Sequence, residues 1–190
     1  KIGIFHMILQ FLFKKKEQGY IRAVGAPIHD QEHVDMLLGN IPLDYILFPY
    51  NFYHSICWLN DDPNDYDNLP TTLREHGIGV MTMKPFGGDY LVQPFINVAK
   101  SHLKEPEISF PKAALRYVIN SGINPESSLV GMYNLSHLYE NAAAYYEPEM
   151  TPEETALLDE IKGFVVNKTQ AWLPDHYKWL DTWAPDSRQA

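Results

Sequence analysis

The stretch that decides the fold runs from Gly77 to Asp89, GIGVMTMKPFGGD. Ile78, Val80, Met81 and Met83 make it apolar on both sides of an extended chain. Lys84, Pro85, Phe86 and the pair Gly87-Gly88 then turn it. Such a run reads as a strand covered on both faces, as in a parallel sheet, that ends in a glycine-proline turn. A single strand of this kind cannot stand alone, so the flanking sequence must supply its neighbours.

It does so on both sides. Upstream, LDYILFPYN (43–51) is a second apolar strand up to Pro49, and YIRAVGAP (20–27) is a shorter one closed by Gly25 and Pro27. Downstream, SSLVGM (127–132) is a fourth. Helical patterns alternate with them. HMILQFLFKKKEQ (6–18) carries Met7, Ile8, Phe11 and Leu12 at helical spacing before Gly19, and DQEHVDMLLGN (30–40) runs from a capping-type Asp30 to Gly39. TTLREHG (71–77), FPKAALRYVINSG (110–122) and NLSHLYENAAAYY (134–146) follow the second, third and fourth strands. Residues 52–70 read as a loop leading into the helix at 71, and 87–109 as irregular.

The order is one helix and then four strand–helix units, which predicts an α/β fold with a parallel sheet. Either half of an eight-stranded β/α barrel or a small open α/β sheet satisfies that order, and composition does not separate them. After the repeat, MTPEETALLDEIKGFV (150–165) sets Thr151 before Pro152 with Glu154 three on, a capping box with proline at the first helical position. The tail places Trp172, Tyr177, Trp179 and Trp183 among prolines and charges, and reads as a strap. We therefore expect residues 1–150 to form the strand–helix repeat, and 151–190 to form a helix and strap packed on the same domain.

Composition narrows the function. The 190 residues are 45% hydrophobic and 13% aromatic, enough for a real core. A formal net charge of −9 argues against nucleic-acid binding, because neutralising phosphates takes a basic face. The one dense basic run, Lys14-Lys15-Lys16, reads as the solvated end of a helix. Cys57 is the only cysteine, so there is no internal disulfide and no cysteine-rich metal site, which fits a reducing, cytoplasmic setting. The apolar opening from Ile2 to Phe13 is too short and too polar to span a membrane. The chain opens on Lys1, not Met, so we expect sequence upstream of it.

Three clusters invite other chemistry, and each has a plainer reading. Asp61, Asp62, Asp65 and Asp67 lack the alternation, central glycine and closing glutamate of a calcium loop, so they read as a solvated loop. His29 and His33 lie one helical turn apart without a third ligand, and read as a surface pair. Cys57 near His54 has no orienting third group or oxyanion donors, and reads as a small buried residue. Neither a metal site nor a catalytic residue is assigned to the chain.

Set side by side, KKKEQGYIRAVG (14–25), LDYILFPYN (43–51), GIGVMTMKPFGG (77–88), LVGMYNLSHLYENAAA (129–144) and MTPEETALL (150–158) form one ordered pattern. That pattern resembles the C-terminal half of an aldo/keto reductase. The resemblance implies a partial (β/α)8 TIM barrel whose four strands are the fifth to eighth of the family's barrel. In such barrels the site lies at the C-terminal ends of the strands, where these motifs sit.

The resemblance also assigns a cofactor, NADP or NAD, with NADP slightly preferred. It places Met83 where a ring stacks on the nicotinamide, and Lys84, Phe86 and Gly87 in the loop around the pyrophosphate. Lys84 is either a point charge on that pyrophosphate or a salt-bridged lysine of the rim. Glu140 and Asn141 match the pair that meets adenine, and His137 stands where an arginine often holds the 2′-phosphate. Gly131 replaces a frequent basic or small residue. Pro27, Ile28 and Leu47 replace polar residues that hold the nicotinamide, and the adjacent His29 is either a substitute for them or a solvent-facing loop histidine.

The resemblance implies that the Asp, Tyr, Lys and His of hydride transfer come from the family's first four strands. His6 reads as a helix-start residue and not as that histidine. Two functional expectations follow. One is the cofactor half of an NAD(P)-dependent oxidoreductase that turns a small carbonyl substrate into an alcohol, inactive as this chain alone. The other is a non-catalytic half-barrel remnant or association module. Either one leaves open strand edges through which the chain would self-associate.

Overall fold

The computed structural model describes residues 2–28, 37–38, 40–52, 69–87, 92, 96–97 and 108–172. Its elements are α1 (Ile2–Glu17), β1 (Gly25–Pro27), β2 (Tyr45–Pro49), α2 (Leu69–Glu75), β3 (Gly79–Met83), α3 (Phe110–Ile119), β4 (Ser127–Leu129), α4 (Leu135–Tyr146) and α5 (Pro152–Trp172). Most of the expected helix at 30–40, most of the loop at 52–70 and most of 87–109 lie outside the described residues. So do the strap beyond Trp172, His29, His33, His54, Cys57 and the aspartates at 61–67.

The four strands form one sheet in the order β1-β2-β3-β4, every neighbouring pair parallel. A doubly wound open sheet reverses its strand order at a switch point, whereas a β/α barrel adds each strand beside the last. The sequential order thus settles the alternative that composition left open, in favour of a partial barrel.

Register explains the double-sided apolar pattern. Ile46 pairs with Val80 and Phe48 with Thr82, and all four side chains are fully buried. They share one face by strand alternation. Leu69 and Leu73 of α2, Val118 of α3, Val24, Ile28 and Leu43 close a cluster with Ile46, Phe48 and Val80. The opposite face carries Tyr45, Leu47 and Met81, each only half-buried. In a closed barrel that face is the interior. At the edge Tyr45's ring lies where a side chain of Gly25 would stand, so only glycine fits beside it.

A second cluster joins the last helix to the rest. Leu157, Leu158 and Ile161 of α5 pack on Phe110, Ala113 and Ala114 of α3, with Phe52 set edge-on to Phe110. The expected capping box is present: Thr151 N–H donates to Glu154 Oε2 at 3.0 Å and Glu154 N–H to Thr151 Oγ1 at 3.2 Å. Glu154 does more than cap. Its Oε1 accepts from Arg116 of α3 at 2.8 Å, with both side chains under 10% exposed (8% and 7%). Arg116 Nε also donates to the Glu147 carbonyl at 2.7 Å, tying the end of α4 to the same point.

Several boundaries differ from expectation. The first strand is not 20–27 but 25–27, because Val24 N–H donates to the Asp44 carboxylate at 2.7 Å and so leaves the ladder. That carboxylate also holds Lys16 of α1. Helix α1 begins at Ile2, four residues before the expected start, with no capping residue there to announce it. Helix α2 begins at Leu69, since Pro70 fits a first helical turn and does not end the loop. β4 stops at Leu129, and α5 continues to Trp172, which therefore closes a helix and does not start the tail.

Candidate functional site

The C-terminal ends of β3 and β4 lie side by side, with Met83 in register with Leu129. Lys84 follows Met83, and Val130 and Gly131 follow Leu129, so these residues leave the sheet at the same end. Tyr50 N–H donates to the Met83 carbonyl at 3.0 Å, so the end of β2 is tied in as well. Met83 is buried, on the same face as Met81.

Lys84 adopts a left-handed backbone, φ 58°, which costs a non-glycine residue roughly 1 kcal/mol. The turn holds it there. Gly87 N–H donates to the Lys84 carbonyl at 2.9 Å, and Asn51 Nδ2 donates to the same oxygen at 3.2 Å. Gly87 has φ 80°, which its missing side chain permits. The Lys84 side chain is half-buried, and burial lowers its pKa below the ordinary 10.5. Phe86 points into the second apolar cluster and anchors the turn. A strained residue held by its surroundings is the usual mark of a functional position.

Helix α4 begins beyond β4. Asn134 caps it, its Oδ1 accepting from His137 N–H at 2.9 Å. The His137 ring is held locally: Nδ1 accepts from Tyr133 N–H at 3.4 Å and Nε2 lies 3.3 Å from Asn134 Nδ2. Gly131 is exposed, with open space where a side chain would be.

Glu140 and Asn141 are consecutive on α4, so their side chains leave about 100° apart. Glu140 accepts from Ser109 Oγ, the residue that caps α3. Asn141 instead lines a cavity of about 570 Å³ between α4, α3 and β4, walled by Leu115, Ile119, Val130, Met132 and Leu138. Among the described residues, its Nδ2 is the buried side-chain polar atom without a hydrogen-bond partner.

The structure therefore gathers Met83, Lys84, Phe86, Gly87 and Gly131 at one end of the sheet, and it sends Glu140 and Asn141 to different neighbours. Sequence reading missed Asn51, Ser109 and Asn134, which hold Lys84, Glu140 and His137. Asn134 and Ser109 gave a signal, each a capping residue type before a helix. Of the replaced polar positions, Ile28 lies in the first apolar cluster and Leu47 is half-buried on the barrel-interior face.

Among the described residues no helix is long and apolar enough to cross a membrane, and no three His, Cys, Asp or Glu side chains gather as a metal site. Solved structures share the fold. An aldo-keto reductase from Bacillus halodurans in its holo form matches with a TM-score of 0.53 at 15% identity, over 80% of this chain and 54% of its own. Aldose reductase from Giardia lamblia matches with 0.52 at 16%, over 84% and 50%, and an aldo-keto reductase from Klebsiella pneumoniae in complex with NADPH with 0.52 at 23%, over 78% and 51%. The chain thus spans about half the length of these proteins. No curated protein matches it. The family profile described as Aldo/keto reductase family matches residues 5–162, and with the sequential parallel sheet and the likeness of fold, this means that the chain belongs to the aldo/keto reductase family.

Proposed function

We propose that the chain is the nicotinamide-dinucleotide half of an oxidoreductase that reduces a small carbonyl compound to an alcohol. The observation that carries this reading is Asn141, a buried side chain that lines a cavity of mixed polar and apolar lining beside β4 and whose amide nitrogen has no hydrogen-bond partner among the described residues. A buried donor left unpaired costs about 1–3 kcal/mol, and a planar base with ring-nitrogen acceptors would satisfy it. Lys84 supports the same reading. Its charge is partly desolvated at the strand ends, and a pyrophosphate there would restore its solvation.

The bound dinucleotide supplies the hydride. The chain's own residues bind and orient it: Lys84 as the cation on the pyrophosphate, Gly87 and Phe86 by shaping the turn, and Met83 by covering a ring face. His137 and the first turn of α4 receive a phosphate, with Gly131 giving it room, while Glu140 braces α4 against α3. A helix N-terminus favours an anion, which together with the NADPH-bound relative leans the cofactor to NADP over NAD.

A second reading, a non-catalytic binding module, has its own observation. Pro27, Ile28 and Leu47 offer no side-chain hydrogen bond to a nicotinamide carboxamide, and Ile28 is committed to the core. Calorimetric titration of NADP and NAD into the chain and into Asn141→Leu separates the two. Saturable binding of either nucleotide, weakened by about tenfold or more in the variant, supports the cofactor half. No binding of either favours the module. Robust NADPH-dependent carbonyl reduction by this chain alone would refute the expectation that it lacks the proton-transfer residues.

A further inference from the structure

We propose that Asn51 is a positioning residue for nucleotide binding: it fixes the backbone from which Lys84 leaves the sheet and so aims the ammonium at the pyrophosphate. The proposal rests on the cofactor-half reading above. Strand alternation sets the problem. Val80 and Thr82 share the fully buried face that packs on the helices, so Lys84, two residues on, would follow them into the core if β3 simply continued. A left-handed φ of 58° breaks the alternation at that residue, and its side chain ends half-buried instead.

The local turn does not impose that backbone by itself. The bond from Gly87 N–H to the Lys84 carbonyl closes a four-residue turn. Such a bond defines the two central residues, Pro85 and Phe86, and leaves the φ of the first residue open. Left-handed backbone is disfavoured at a residue with a side chain and persists where the surroundings select it. Asn51 supplies that selection from outside the turn: its Nδ2 donates to the Lys84 carbonyl at 3.2 Å, from a side chain only 3% exposed. A carbonyl oxygen accepts two bonds, so this contact stands beside the one from Gly87.

The segment that bears Asn51 is itself fixed. Pro49 pairs with Met83, Tyr50 N–H donates to the Met83 carbonyl at 3.0 Å, and Phe52 lies in the apolar cluster on which Phe86 packs. Residues 49–52 thus run as a splint beside 83–86, and Asn51 is the part of it that holds the backbone of the cation. A backbone fixed before the ligand arrives loses less freedom on binding, and the saving appears as affinity.

The test is calorimetric titration of NADP, NAD and adenosine 2′-monophosphate, a probe without a pyrophosphate, into wild type, Asn51→Ala, Lys84→Met and the double variant. The Lys84 Cα and Cβ chemical shifts are read alongside, in the absence of nucleotide. In Asn51→Ala those shifts should leave their left-handed values and dinucleotide binding should weaken by about tenfold, while monophosphate binding stays within about twofold. The double variant should bind dinucleotide no more weakly than Lys84→Met, because Asn51 acts through the lysine. Asn51→Asp, the same shape without the donor, should give the same pattern should alanine disturb the fold. Equal loss of dinucleotide and monophosphate binding marks a merely structural role and overturns the proposal. So do Lys84 shifts that neither substitution moves, or a dinucleotide affinity that neither lowers while wild type binds. A wild type that binds neither dinucleotide sinks the cofactor-half reading itself, and the proposal with it.

Discussion

Replacing Glu154 by glutamine isolates the contact on which three helices converge. Glutamine keeps an acceptor at the third helical position, so the capping box with Thr151 survives in kind. What disappears is the charge facing Arg116, whose side chain is 8% exposed. Removing one partner of a buried pair costs about 3–5 kcal/mol, because the other charge stays buried. Arg116 retains the Glu147 carbonyl at 2.7 Å and a Glu147 carboxylate oxygen at 3.4 Å, which reduces the cost. The expected loss is about 2–3 kcal/mol, or roughly 4–12 °C in Tm for a chain of this size. Glu154→Ala also deletes the cap and should lose about 1 kcal/mol more. Urea unfolding followed by circular dichroism measures both. The double variant Arg116→Met/Glu154→Gln should recover much of the single loss, since no uncompensated charge is left. A Glu154→Gln protein within about 0.5 kcal/mol of wild type would refute the reasoning, that change being no larger than a neutral surface substitution.

The remaining predictions follow from single contacts. Asp44 has its pKa lowered below 3.8, first by Lys16 and then by Val24 N–H, so its stabilising contribution is complete above that value and is lost as pH falls through the lowered one; Asp44→Asn should flatten that acid limb of the stability profile. Lys84, lowered by burial, acts in the opposite sense: stability should rise as pH climbs from its lowered value towards 10.5, and nucleotide binding in that window should take up a proton, measurable by calorimetry in buffers of different ionisation enthalpy. Lys84→Gly should change stability by less than about 1 kcal/mol, strain relief offsetting chain entropy, while weakening nucleotide binding and its salt dependence. Gly25→Ala should destabilise by about 1–3 kcal/mol through its clash with the Tyr45 ring, with Tyr45→Ala restoring part of the loss in a double-mutant cycle.

Much of the fold was legible because periodicity is a local property. The apolar runs at 43–51 and 77–83 gave β2 and β3, and Thr151-Pro152 with Glu154 gave the start of α5 to the residue. Where expectation missed, a distant side chain intervened. Val24 left the first strand because Asp44, 20 residues away, takes its N–H. Glu154 read as a cap and proved also to be the partner of Arg116, 38 residues away.

By itself the sequence determined the alternation of strands and helices, the family pattern and the candidate residues around Lys84 and Asn141, because each rests on residue type and spacing along the chain. Only the tertiary structure decided that the strands lie in sequential parallel order, that Lys84 is held in a left-handed turn by Asn51 and Gly87, and that Glu140 and Asn141 part company. It also decided that Leu135, Tyr139 and Tyr146 of α4 are exposed among the described residues. These are matters of what meets what across the fold, and a spacing along one chain carries no record of the partner on another element.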